Sequence, residues 1–148
     1  LINNAVYAHW DHVSKISYTD FIHQLSVNVA APLSLSNACY LAFWSQRPSL
    51  ENSVNNRGVI HVSSIAAAKD YFGYGQGTYA ASKAALLTLT RHMASDYKEF
   101  GLKVNAIAPN SFPSIINTET VCDEIDNLMA AACTGKTLIL DANKKYII

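Results

Sequence analysis

The sequence predicts an α/β fold, a parallel sheet with helices packed on both faces. Short apolar runs rich in β-branched residues alternate along the chain with longer stretches of helical spacing. The runs GVIHVSS (58–64), KVNAIAP (103–109) and KTLILDA (136–142) are nearly continuous rather than alternating, as strands buried on both faces are.

The elements come in this order. LINNA (1–5) reads as the end of a strand, stopped by two asparagines. The chain opens without a methionine and already within a strand, as a piece of a longer protein would. WDHVSKISYTD (10–20) is a loop or a short helix, and Asp20 is placed to cap the next helix. Apolar residues then recur at Phe21, Leu25, Val29 and Leu33, the spacing of one long helix with Pro32 in its middle. RPSLENSVNNRG (47–58) is polar, contains Pro and Gly, and reads as a surface loop. The strand GVIHVSS leads into a loop with three glycines, IAAAKDYFGYGQG (65–77). A helix from Thr78 is closed by Gly101, a usual residue just past a helix end. KVNAIAP is a strand stopped by Pro109, and NSFPSIIN (110–117) is a loop. The helix over 118–134 turns Val121, Ile125, Leu128 and Met129 to the core and has Gly135 after it. KTLILDA is the last strand.

The totals exclude several functions. The chain has 148 residues, 50% hydrophobic and 15% charged, which suits one core and a single domain over 1–148. Lys plus Arg equals Asp plus Glu at 11 each, and no basic block occurs, so the electrostatic footprint of a nucleic-acid binder is missing. No apolar run approaches the ~20 residues of a membrane-spanning helix. Cys39, Cys122 and Cys133 form no C-x-x-C pair; they read as reduced thiols and point to a reducing, cytoplasmic compartment. The histidines show no metal-ligand spacing, so no metal site is expected.

In parallel α/β sheets, sites form beyond the carboxyl ends of the strands. Asn3, Asn4, Ser63, Ser64 and Pro109 to Ser111 fall there. Just past the glycine loop, TYAASKAA (78–85) sets Tyr79 and Lys83 on one helix face. A free tyrosine titrates near ~10, and bringing it to ~7 takes roughly 4 kcal/mol of preference for the phenolate. An ammonium held close in a partly dry cleft supplies much of that. The Ser64 hydroxyl can donate to a substrate carbonyl while Tyr79 passes a proton, or it satisfies backbone groups at the strand end. Pro32 has no N–H for the carbonyl four residues back. The main-chain oxygen of Asn28 is therefore open to a water or a lysine ammonium, or else Pro32 merely kinks the helix. If a water there feeds a proton relay, Asn28→Ala slows turnover with little loss of folding. Trp10, Tyr71, Phe72, Tyr74 and Phe112 sit in loops at the same edge, where they line an apolar pocket or anchor the loops.

This order of NNA, helix Asn, strand–Ser, YxxxK and strand–Pro resembles the short-chain dehydrogenase/reductase family. The stretches LINNA, SVNVAAPLSLSNA, RGVIHVSSIAA, TYAASKAALLTLTR, GLKVNAIAP and TGKTLILDA carry the resemblance and cover most of the chain. It implies a Rossmann-like doubly wound parallel sheet, of which residues 1–148 would be the second half, a partial dinucleotide-binding domain. It implies Tyr79 as catalytic acid/base and Lys83 as the residue that lowers its pKa and holds the nicotinamide ribose. Ser64 would orient the substrate oxygen, and the main chain of Asn28 would hold the relay water. Asn4 and Ala5 match the turn beside the adenosine side of the cofactor, and Pro109 and Asn110 fall beside the nicotinamide. The implied reaction is hydride transfer between NAD or NADP and a small-molecule alcohol or carbonyl. The implied assembly is a homodimer or homotetramer packed through the Asn28 and Tyr79 helices.

The sequence also departs from the family pattern. Val6 and Asn110 stand where the family has glycine, and the lid region after Asn110 is short. The glycine-rich turn for the pyrophosphate occurs nowhere in these residues. The 148-residue chain alone is therefore expected to bind NAD(P)H poorly and to be inactive. The alternative is a non-catalytic scaffold of the same family type, acting in regulation or interaction.

Overall fold

A computed structural model describes residues 1–142 and 144–148. Five strands form one sheet in chain order: β1 Ile2–Asn3, β2 Gly58–Val62, β3 Lys103–Pro109, β4 Thr137–Asp141 and β5 Lys144–Ile147. β1 to β4 are parallel and lie where the apolar runs put them. β5 corrects the expectation that KTLILDA is the last strand. It pairs antiparallel with β4, Leu138 opposite Ile147 and Asp141 opposite Lys144. All of β5 is exposed, so its sequence KKYI has no buried face and no apolar pattern to read.

The long helix expected around Pro32 is two helices, α1 Tyr18–Leu25 and α2 Ala31–Ala42, joined by a π-helical turn at Ser26–Ala30. The Ala31 N–H reaches the Ser26 carbonyl five residues back. Pro32 explains the widening: it offers Asn28 no N–H, and a π turn absorbs the mismatch. Ser17, not Asp20, caps α1. The Ser17 hydroxyl accepts the Asp20 N–H at 3.1 Å and donates to the Asp20 carboxylate at 2.6 Å, a pairing close to a capping box.

The polar stretch expected as a loop contains α3, Ser49–Val54. Its anchor is the buried Asn52, whose amide donates to the carbonyls of Trp44 (3.1 Å) and Phe100 (2.9 Å). A helix held by a buried amide leaves no apolar periodicity. α4 runs Gly77–Asp96, and Gly101, at φ 70°, closes the short 3-10 turn after it. α5 runs Thr118–Ala130 and ends before Gly135, which lies instead in the turn into β4.

Side chains alternate across the sheet. Val59 and Val104 pack with Met93 and Ala94 of α4 and with Trp44. Ile60, Val62 and Ile107 pack with Val121, Ile125 and Leu128 of α5. Both faces are thus covered, as expected. β2, β3 and β4 step across the sheet in one direction while α4 and α5 lie on opposite faces, so the two crossovers have opposite hands. No helix among the described residues is long and apolar enough to cross a membrane.

Candidate active site

β2 delivers two serines to the carboxyl edge of the sheet. The Ser63 hydroxyl donates to the Lys83 carbonyl at 2.9 Å and ties the strand end to α4. The Ser64 Oγ caps a 3-10 turn over Ile65–Ala67, accepting the Ala66 N–H at 3.2 Å. Ser64 therefore does satisfy the backbone, and its hydroxyl also lies beside the Tyr79 phenol. One helical turn on, the Lys83 ammonium donates to the Val62 carbonyl at 2.9 Å and lies 6.0 Å from the centroid of the Tyr79 ring. Lys83 is 2% exposed.

Burial dominates the electrostatics here. It lowers the Lys83 pKa to about 8. It raises the Tyr79 pKa, with the neighbouring Ser64 hydroxyl pulling the other way. This corrects the expectation of a tyrosine brought down by its lysine. The ammonium is bound to a carbonyl, and both groups sit in a region that disfavours charge. Tyr79 is accordingly a protonated phenol at neutral pH.

Asn28 is buried in the π turn. Its Oδ1 accepts the Tyr7 N–H at 2.9 Å, and its Nδ2 donates to the Tyr7 carbonyl at 2.9 Å and to the Ser82 Oγ at 3.0 Å. The Ser82 hydroxyl donates in turn to the Tyr79 carbonyl at 2.7 Å. The side chain thus clamps the segment after β1 to α4. This corrects the expectation that Asn28→Ala spares the fold, because each buried group left unpaired costs about 1–3 kcal/mol. Sequence reasoning alone does not single out Ser82 or Tyr7. A serine among alanines looks like a spacer, and Tyr7 acts through its backbone.

His61, inside β2, is a buried, hydrogen-bonded residue, as its place in an apolar strand suggests. The Thr90 hydroxyl donates to the Leu86 carbonyl at 2.8 Å, so the His61 Nδ1, 2.9 Å from Thr90 Oγ1, must carry the proton. The buried Nε2 has no partner among the described residues. Burial first, and then the Lys83 charge, lower the His61 pKa to about 4. An unfolded histidine titrates near ~6.5, so between those values the unfolded chain binds more protons and stability falls as pH drops. About 2–3 kcal/mol should be lost from this residue between pH ~7 and ~4.5. Urea unfolding at the two pH values tests this, and His61→Gln should flatten the difference. An equal pH dependence in wild type and variant would refute the assignment.

A cavity of about 560 Å³ opens at this edge. Ser64, Tyr79, Pro109 and Asn110 line it, with Val6 beside them. Trp10, Tyr71, Tyr74 and Phe112 contribute aromatic wall, and the Trp10 ring stands 6.0 Å from that of Tyr79, tilted by 60°. A second cavity of about 510 Å³ shares Trp10, Tyr71 and Tyr74 and reaches Phe72. The structure thus brings Ser64, Tyr79, Pro109 and Asn110 to one cavity, with Lys83 against the Tyr79 ring. Asn4 and Ala5 are exposed after β1 and do not line it. The Asn110 amide is held by its neighbours: Nδ2 donates to Asp141 at 2.8 Å, and Oδ1 accepts the Ser111 N–H at 2.7 Å.

These residues fit the nicotinamide end of a dinucleotide but not its pyrophosphate. Two of the three glycines leading into α4 are filled against protein: a Cβ at Gly75 would meet the Asp11 backbone at 2.8 Å, and one at Gly77 would meet Val13 at 3.1 Å, while Gly73 alone faces open space. Among the described residues no cluster of three or more His, Cys, Asp or Glu could hold a metal.

The family model for short chain dehydrogenases matches residues 1–125, and the chain belongs to that family. It is 33% identical over 115 residues to an uncharacterized oxidoreductase of Thermotoga maritima, covering 77% of this chain and 41% of that protein. A short chain dehydrogenase from Mycobacterium avium superposes with a TM-score of 0.78 at 25% identity, covering 99% of this chain and 52% of that one. A family member from Brucella ovis, solved with a partially ordered NAD, gives 0.75 at 28% identity, covering 95% and 63%. The chain spans under two thirds of each of these proteins.

Proposed function

We propose that this chain is the chemical half of an NAD(P)-dependent oxidoreductase that interconverts a carbonyl and an alcohol, with Tyr79 as the acid/base. The observation that carries the reading is the meeting of the Ser64 and Tyr79 hydroxyls on one cavity, with the Lys83 ammonium close to the phenol.

Both hydroxyls would donate to the substrate carbonyl oxygen and stabilise charge developing there. A bound dihydronicotinamide would supply the hydride, two electrons with one hydrogen to the carbonyl carbon, and its ring would be left oxidised. Tyr79 delivers the balancing proton to the oxygen. Burial keeps the phenol protonated, so the site favours reduction at neutral pH, and the reverse reaction gains as pH rises. Lys83, 6.0 Å from the centroid of the Tyr79 ring, would stabilise the phenolate left behind and, on giving up the Val62 carbonyl, would meet a ribose hydroxyl. Pro109 and Asn110 would flank the nicotinamide.

The lack of a pyrophosphate cradle in the described residues favours a second reading, a scaffold that no longer turns over. Joining this chain to a dinucleotide phosphate-binding half and supplying NADH deuterated at the transferable position separates the two. Deuterium at the carbinol carbon of a product supports the oxidoreductase. Dinucleotide bound with no deuterium in any of a carbonyl panel favours the scaffold.

A further inference from the structure

The cavity at Ser64 and Tyr79 carries no charged side chain: its lining includes no Asp, Glu, Lys, Arg or His. Its walls are instead aromatic and branched aliphatic, Trp10, Tyr71, Tyr74 and Phe112 with Ile65 and Ile115. The nearby cation Lys69 is engaged with Asp141 at 3.5 Å. The second cavity shares Trp10, Tyr71 and Tyr74 with the first, and the ionisable side chains in its lining are Asp11 and His12 besides the tyrosines. A substrate carboxylate or phosphate in the cavity at Ser64 and Tyr79 would lose water and find no cation in its lining, and the Asp11 carboxylate of the second cavity is already paired with Lys15 at 3.9 Å. A flat ring would find several aromatic faces.

Resting on the reading of the site as a carbonyl reductase, we propose that its substrate is an uncharged aryl ketone, or the matching benzylic alcohol, with the ring held among Trp10, Tyr71 and Tyr74. The carbonyl then points to Ser64 and Tyr79, and the remainder of the molecule extends toward the second cavity. Cavities of this size hold drug-sized ligands (roughly 300–1,000 Å³), which leaves room for a bicyclic ring beside a nicotinamide. Tyr74, 69% exposed and lining both cavities, is then a specificity residue.

The chain's two tryptophans provide the readout. Trp10 lines both cavities, whereas Trp44 is buried in the core against α4 and serves as an internal reference. The indole N–H signals of the ¹⁵N-labelled chain, assigned with Trp10→Phe, are followed by NMR against 1-tetralone, a carboxylated tetralone and 2-butanone. Expected is a saturable shift of Trp10 alone with 1-tetralone, with both other ligands at least about tenfold weaker. Tyr74→Ala should weaken tetralone binding about threefold or more while the Trp44 signal stays in place. Equal or tighter binding of the carboxylated ketone, no shift with tetralone, or undiminished affinity in Tyr74→Ala would overturn the proposal. Its failure is separable from that of the reductase reading. Deuterium transfer to keto acids but not to aryl ketones sinks the substrate class alone. Tetralone binding without any deuterium transfer sinks the reaction alone.

Discussion

Tyr79→Phe is expected to lower kcat for carbonyl reduction by about 10²- to 10⁴-fold, the usual contribution of a positioned general acid. The substitution removes one oxygen and keeps the ring that faces Trp10. The lost hydroxyl lies beside Ser64, and Ser64 keeps its contact with the Ala66 N–H. Stability should therefore change by no more than about 1 kcal/mol. The pH profile gives an independent check. The Tyr79 pKa is raised by burial, so wild-type reduction should stay level through neutral pH and fall only above the ordinary tyrosine value of ~10. The variant's residual rate should show no such fall. The measurement is NADH consumption with the phosphate-binding half joined to the chain, from neutral pH upward. A variant that kept more than about a tenth of the wild-type rate would remove Tyr79 from the acid/base role.

Lys83→Met is expected to do two opposite things, to stabilise the fold and to abolish turnover. The folded chain holds the Lys83 pKa at about 8 through burial, while a free lysine titrates near ~10.4. Below both values the lysine is charged in either state, and the fold bears the full cost of burying it, about 3 kcal/mol. Methionine removes that cost and keeps most of the volume. It also removes the hydrogen bond to the Val62 carbonyl, which returns roughly 1–2 kcal/mol. The net gain at neutral pH should be about 1–2 kcal/mol. Between pH ~8 and ~10.4 the unfolded chain binds the extra proton, so wild-type stability should rise with pH while the variant shows no rise from this position. Urea unfolding at the two ends of that window measures both effects. A variant less stable than wild type at neutral pH by more than about 1 kcal/mol would mean that the ammonium is compensated.

The parts of this fold that were legible in the sequence are those where burial imposes a pattern. β2, β3 and β4 lie between two packed layers, so most of their residues are apolar, with His61 and Asn105 the buried exceptions in β2 and β3, and their limits could be read. β5 is solvated along its length and α3 is held by a single buried amide, so neither left an apolar period. The positions of Ser64 and Tyr79 were legible because a strand end and a helix start fix where those side chains emerge. Their electrostatics were not. Whether Lys83 lowers the Tyr79 pKa depends on which carbonyl the ammonium finds and how dry the surroundings are. Neither follows from a spacing of four residues. Asn28 was found through the proline after it, an argument about its main chain. The use of its side chain on Tyr7 and Ser82 depends on segments far apart in sequence.

The opposite hands of the two crossovers give the protein an evolutionary asymmetry. Lys83 and His61, the buried lysine and histidine, both face the α4 side of the sheet, together with Asn28 and Ser82. The α5 side at Ile60, Val62, Ile107, Val121, Ile125 and Leu128 is aliphatic. The sheet therefore acts as a partition between a layer that does chemistry at a cost in stability and a layer that supplies stability without chemistry. Substitutions that keep volume can accumulate on the α5 side without touching a proton. Stability gained there lets the α4 side explore new polar groups and, with them, new substrates.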